Sequence, residues 1–268
     1  MDFDYNPNAV FFPITSIRWY TDSQVLFSNG EGKVKLYNIV DPDPDNRFRS
    51  EISFKGSGIN AIDTDIDKHH FVTGGMDHSL KVFDFSTMKE IISYQGEDKK
   101  NSEHFNRIFS IVFDPSNTNV FYSGGWDKQI MTHDLREEHS VNHFMGPYIA
   151  GDSLDICGST LLAGNYKSND PIELYDVTNG EMLNYIQWDE EDKKKGGMIM
   201  TSQFGFPKTD TIIAGSSTTH EVKIFNRSDS SLLSTVSGFS GPVVALNLDH
   251  QGKRLAIGSK TGGVVMLS

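Results

Sequence analysis

A single cysteine, Cys157, among 268 residues leaves nothing to pair with, so a fold stapled by disulfides is excluded and a reducing, cytoplasmic compartment is expected. Nuclear or cytoskeletal association stays open. No apolar run reaches the roughly 18 residues of a membrane-spanning helix, and the start, MDFDYNPNAVFF, sets no basic stretch ahead of an apolar one. Neither a membrane span nor a signal peptide is expected. Basic residues are in deficit: 24 Lys and Arg stand against 36 Asp and Glu, for a net charge of −12. Phosphate backbones and anionic membranes would meet repulsion. The basic runs at 98–100 and 192–195 sit beside acids and read as solvated surface.

Metal and enzyme signatures are equally thin. The histidines include no HExxH; His69 and His70 point to opposite faces of a strand, and His139 and His143 have no cysteine near them. No metal site is expected. DPDPDN (41–46) is acidic, but its two prolines and the missing Gly and Glu positions do not make a calcium loop. KGSGINAI (55–62) has the glycines of a dinucleotide loop, yet a strand pattern follows where a helix is required, so Gly56 and Gly58 read as a turn. GDSLD (151–155) spells the block that carries the nucleophile in GDSL hydrolases. Ser153, however, falls in register with Ser16 and Ser110 inside a repeated strand, which marks it as structural. A hydrolase or lyase with a site in a central channel is the competing class, and it would need clustered catalytic residues that do not appear. No catalytic residue, cofactor or small-molecule substrate is expected.

What the chain does have is a repeat. Runs of similar pattern begin at Ile14, Ile59, Ile108, Gly151, Ile199 and Val243, spaced 45, 49, 43, 48 and 44 residues apart. That period belongs to propeller blades rather than to helical or leucine-rich repeats. Each unit divides into four short strands, as in INAIDTDI (59–66), HFVTGG (70–75), SLKVFDF (79–85) and KEIISYQG (89–96), separated by turn residues. A small sheet cannot bury both faces alone, and stacking such sheets about an axis solves the problem. One domain, 1–268, is expected, with room for six blades.

FVTGGMDHSLKVFDF (71–85) and VFYSGGWDKQIMTHDL (120–135) share Ser/Thr-Gly-Gly-x-Asp, an apolar residue three after the Asp, and a ring-Asp pair six and seven after it. The chain resembles the WD-repeat β-propeller family over nearly its whole length. The resemblance implies an all-β, six-bladed propeller of four-stranded antiparallel blades. It also implies a hydrogen-bonded relay, which falls on His104, Ser123, Asp127 and His133 in the third copy. The second copy keeps Thr73 and Asp77, with Lys55 where the relay histidine would stand.

The family likeness also puts two kinds of connecting loop on one face, where 97–106, 188–197, 165–171 and 216–221 are elaborated. Trp126, Arg107 and Met76 ring that opening and, with Phe109 and Asn60, form the expected protein-binding set. The implied function is a non-catalytic interaction platform or scaffold subunit that binds proteins or peptides in a larger complex. The last copy supplies three strands and lacks an outer one. DFDYNPN (2–8), with Phe3 and Tyr5 on one face, is expected to provide it, so deleting residues 1–12 should lower the melting temperature and promote self-association. The alternative is an open propeller completed by a partner's strand.

Overall fold

The computed structural model describes residues 12–54, 56–95, 103–167, 171–189, 196–205, 210–249 and 251–268. It is all β apart from a 3-10 turn at Pro44–Asn46, capped by the Asp43 carboxylate. Six antiparallel sheets follow one another in a propeller, and within each the strands run in sequence order from the inside to the rim. Inner strands begin at Ile14, Ile59, Ile108, Leu154, Ile199 and Val243. The fourth starts three residues later than its repeat; ahead of it Gly151 lies against the Met200 carbonyl, where a Cβ would come within 2.1 Å. Five sheets have four strands. The sixth has three among the described residues, Val243–Leu248, Leu255–Ser259 and Val264–Leu267. The segment expected to complete it, residues 2–8, lies outside them.

Burial decreases outward, and composition follows. Second strands such as His70–Gly75, Val120–Gly125 and Thr160–Gly164 are covered on both faces and read as continuous small or apolar runs; rim strands such as Phe48–Ser53 are largely exposed and polar. The turn after the second strand takes a left-handed residue two places before the third strand's first apolar position, filled by Gly32, His78, Lys128, His220 and Gly262 in five blades. The aspartate just before it stabilises the turn where it is present: Asp77 accepts from the Ser79 amide and Asp127 from the Gln129 amide, each at 3.2 Å.

Neighbouring blades are sealed by apolar clusters. Leu26, Val34 and Leu36 of the first blade meet Ile62, Phe71 and Phe83 of the second; Val72, Leu80 and Val82 meet Ile111, Phe113 and Phe121 of the third. Three more clusters join the third to the fourth, the fourth to the fifth and the fifth to the sixth. Each fully buried Ile, Leu or Phe contributes about 1.5–3 kcal/mol. A recurrent polar staple adds to them: Asp63 accepts from the Phe113 amide, and Asp155 from the Phe204 amide, both at 2.7 Å. Five clusters serve six blades. Among the described residues none joins the last blade to the first.

Candidate functional site

The third blade holds a buried polar chain. His104 Nδ1 lies 2.6 Å from Asp127, its Nε2 2.8 Å from Ser123 Oγ, and that hydroxyl 3.0 Å from His133 Nε2. In the order that gives each of these atoms one partner, His104 Nδ1–H donates to Asp127, and Ser123 donates to His104 and accepts from His133. Asp127 accepts in addition from the Phe105 and Gln129 amides. The His133 ring stacks on Phe121, with centroids 4.6 Å apart. In the second blade Thr73 and Asp77 are not linked to each other: the Thr73 hydroxyl donates to the Lys81 carbonyl at 3.5 Å, and Asp77 accepts from Ser79.

Above this chain lies a shelf of aromatic rings. Trp126 stacks on Phe109 at 5.2 Å and on Tyr148 at 5.6 Å; the Arg107 guanidinium sits 5.1 Å from the indole, and Lys167 Nζ 5.9 Å from the Tyr148 ring. The Trp126 amide donates to the Arg107 carbonyl at 2.9 Å, which fixes the tryptophan on its own blade's inner strand. The indole Nε1 is covered and has no hydrogen-bond partner among the described residues. Trp126, Arg107 and Phe109 are therefore brought together. Met76, exposed, stands one blade away at Gly58, and the Asn60 side chain donates to the Ile108 carbonyl at 2.9 Å.

Tyr148 and Lys167 escape a reading along the chain. Their signal is faint: a Pro-Tyr between Gly146 and Gly151, and one lysine in an elaborated loop. Two of the four elaborated loops, 188–197 and 216–221, meet where they are described. Trp188 Nε1 donates to Thr219 Oγ1 at 3.1 Å, and the Thr218 hydroxyl to the Gly196 carbonyl at 3.2 Å.

The central channel is charged. Arg18 bridges blades, with Nε 2.8 Å from Asp63 and an Nη 3.1 Å from Asp152. Burial opposes its charge, but Asp152 and Asp63 outweigh burial and hold the guanidinium well above its usual range. Asp155, desolvated in the same wall and repelled by Asp152 and Asp63, is pushed up to about 6. His133 is driven well below 6.5, by burial first and then by His104.

These two shifts act oppositely on stability. Unfolded, His133 titrates near about 6.5, so below that pH the unfolded chain binds the extra proton and stability falls with acid. Asp155 binds its proton more tightly when folded, so its contribution falls as pH rises from 3.8 to about 6. Asp155→Asn should remove the opposing slope. Urea denaturation between pH 4 and 6 is expected to show stability rising more steeply with pH in the variant than in the parent; parallel curves would discard the assignment.

The fragments that imitate enzymes are placed in the framework. Ser153 is buried, and its Oγ donates to the Gly164 carbonyl at 3.3 Å. Gly56 takes a left-handed φ of 77° just before the inner strand Ile59–Thr64. Among the described residues no group of His, Cys, Asp or Glu could hold a metal ion, and no helix is long and apolar enough to cross a membrane.

Comparison with known proteins meets this geometry. The family model described as "WD domain, G-beta repeat" matches residues 48–84 and 98–134. Two WD repeats are thus matched within a six-bladed β-propeller fold. Pre-mRNA-processing factor 19 of Mus musculus is 26% identical over 226 residues, covering 80% of this chain and 41% of that protein. The Ribosome biogenesis protein WDR12 homolog of Oryza sativa subsp. japonica is 38% identical over 72 residues, 27% of this chain and 16% of that one. A chain in the crystal structure of a Mitotic Checkpoint Complex superposes with a TM-score of 0.78 at 14% identity, over 95% of this propeller and 74% of that chain. The propeller spans about two-fifths of the length of the factor 19 relatives.

The first matched repeat is offset from the blades, whereas the second, 98–134, begins after the rim strand Lys89–Tyr94 and takes in only the inner three strands of the third blade. Residues 48–84 take in the rim strand Phe48–Ser53 of the first blade and the inner three strands of the second. That first match straddles an inter-blade seal.

Proposed function

We propose that this propeller is a non-catalytic interaction platform whose loop face, centred on Trp126, receives a protein or peptide in a larger complex. The observation that carries the reading is the shelf of Phe109, Trp126 and Tyr148, half-buried and flanked by Arg107 and Lys167. Stacked rings beside cations offer a rigid, amphipathic surface that costs little entropy to engage, the composition of binding hot spots. The net charge of −12 argues against nucleic acid as the ligand. Cys157, unpaired, supports a reducing compartment such as the cytoplasm. One structural relative belongs to a complex by name, which supports an assembly role.

Trp126→Ala is expected to weaken the principal partner by about 2 kcal/mol, roughly 30-fold, without loss of fold. Equal recovery of partners by the parent and a Trp126→Ala/Arg107→Ala double variant in quantitative affinity purification would move the interface elsewhere. A fluorophosphonate probe is expected to leave Ser153 unlabelled, and labelling there would overturn the non-enzyme reading.

A second reading has its own support. Ile17, Trp19, Val264 and Met266 are apolar and exposed at the two ends of the blade series. On this reading the propeller is one subunit of a permanent assembly and a partner supplies missing β structure.

A further inference from the structure

We infer that Lys128 and Lys167 form an anion-binding point beside Tyr148, where the third and fourth blades meet, and that it takes a phosphorylated side chain of the protein segment laid across the Trp126 shelf. The inference rests on the reading that this face receives a protein segment.

Charge is matched over much of the surface and left over here. Arg18, Arg49, Arg136 and Arg227 each pair with an aspartate, and Lys33, Lys35 and Lys81 each with a glutamate. Lys128 and Lys167 are exposed, and among the described residues neither pairs with a carboxylate, although the chain has 36 acids. Each has the other instead. The Lys167 ammonium lies against that of Lys128; this contact and the neighbour's charge, ahead of burial, hold Lys167 below the usual lysine range. Like charges are thus brought together with nothing between them to neutralise either.

The backbone fixes where both lysines start. The Lys128 carbonyl accepts from the Gly146 amide at 2.9 Å, and the Tyr148 carbonyl from the Tyr166 amide at 2.7 Å. The Asn165 side chain accepts from the Tyr148 amide at 3.3 Å and donates to Glu173 at 3.0 Å. The connector after Gly146 therefore stitches the turn that carries Lys128 to the turn that carries Lys167. Lys167 Nζ lies 5.9 Å from the Tyr148 ring, and Tyr148 stacks on Trp126. The ammonium pair is an extension of the shelf, and a site assembled before binding loses little entropy on engagement.

The charge of the pair decides the ligand. Lysine ammoniums are compact, rotatable point charges, so two together select for charge rather than for shape. One carboxylate would neutralise one of them and leave the other. A phosphate ester carries about −1.5 to −2 at neutral pH on three strong acceptor oxygens, which suffices for both. Nucleic acid offers the same group, but a polyanion must approach a chain of net charge −12 along its whole length. A single phosphate on a protein segment meets only the pair.

Two experiments on the full chain decide the matter. Lysines dimethylated with ¹³C-formaldehyde are titrated by NMR: Lys167 is expected to lose its proton at lower pH than the other lysines, to rejoin them in Lys128→Ala, and to shift upward when inorganic phosphate is added. If Lys167 titrates with the rest, the two ammoniums are not held together and the site is lost. Random peptide libraries are then passed over the immobilised protein, with a central residue that is phosphorylated (serine, threonine and tyrosine in equal parts), unphosphorylated, or glutamate. Retention of the phosphorylated library is expected to exceed that of the unphosphorylated one at least about tenfold. The Lys128→Ala/Lys167→Ala variant, with its melting temperature kept, should erase that difference and leave the unphosphorylated library as before, whereas Trp126→Ala should weaken both. Equal retention of the glutamate library would put a carboxylate in place of phosphate and overturn the proposal. So would a phosphate preference that survives the double lysine variant, or stronger retention of random single-stranded RNA of the same length. If the preference is absent while both libraries still depend on Trp126, the anion point falls and the platform stands; if neither library depends on Trp126, both fall.

Discussion

Replacing Asp127 with alanine is expected to destabilise the propeller far more than replacing Asp77, although both residues occupy the same turn. Asp127 is buried and accepts from His104 Nδ1 and from the Phe105 and Gln129 amides; its removal strands three donors at once. A donor left unpaired out of water costs about 1–3 kcal/mol, so a loss near the upper end of that range is expected. Asp77 is exposed and accepts only from the Ser79 amide and hydroxyl, which water can replace. Asp77→Ala should cost about 1 kcal/mol or less. Equal shifts in urea midpoint for the two variants would mean that the His104 chain adds nothing beyond the turn.

The contrast also marks what a sequence of this kind discloses. The inner-strand starts, the Gly-Gly-x-Asp turn and the chain from His104 to His133 are written locally, because each depends on residue types at fixed spacing within one blade. Arg18 is not: one of its acids is 45 residues away and the other 134, and nothing near Arg18 announces either. Asn60 has the exposed polar look of a binding residue, but its amide is taken by the inner strand of the next blade. The bare faces are harder still. Ile17 and Ile62 are the same letter at the same place in the repeat, and only the presence of a covering sheet distinguishes them.

Gly125→Ala is expected to disable both the fold of the third blade and the binding shelf. A Cβ at Gly125 would lie 2.0 Å from the Arg107 carbonyl oxygen and 2.9 Å from its carbon, both backbone atoms that cannot step aside like a flexible side chain. The Arg107 carbonyl also accepts from the Trp126 amide. Relieving the clash must therefore separate the second strand from the mouth of the inner strand and displace Trp126 from Arg107 and Phe109. Overpacking against immobile neighbours typically costs about 1–3 kcal/mol and more where backbone must move, so a loss of about 3 kcal/mol is expected. Gly158 is the control. It has a φ of 62° and open space around its missing Cβ, so Gly158→Ala bears only the left-handed backbone penalty of about 1–2 kcal/mol and leaves the shelf alone. Melting temperature and Trp126 emission separate the cases: Gly125→Ala should lower the first and shift the second, whereas Gly158→Ala should lower the first slightly and leave the emission unchanged. If Gly158→Ala proves the more damaging, close backbone approach is not what reserves this position for glycine.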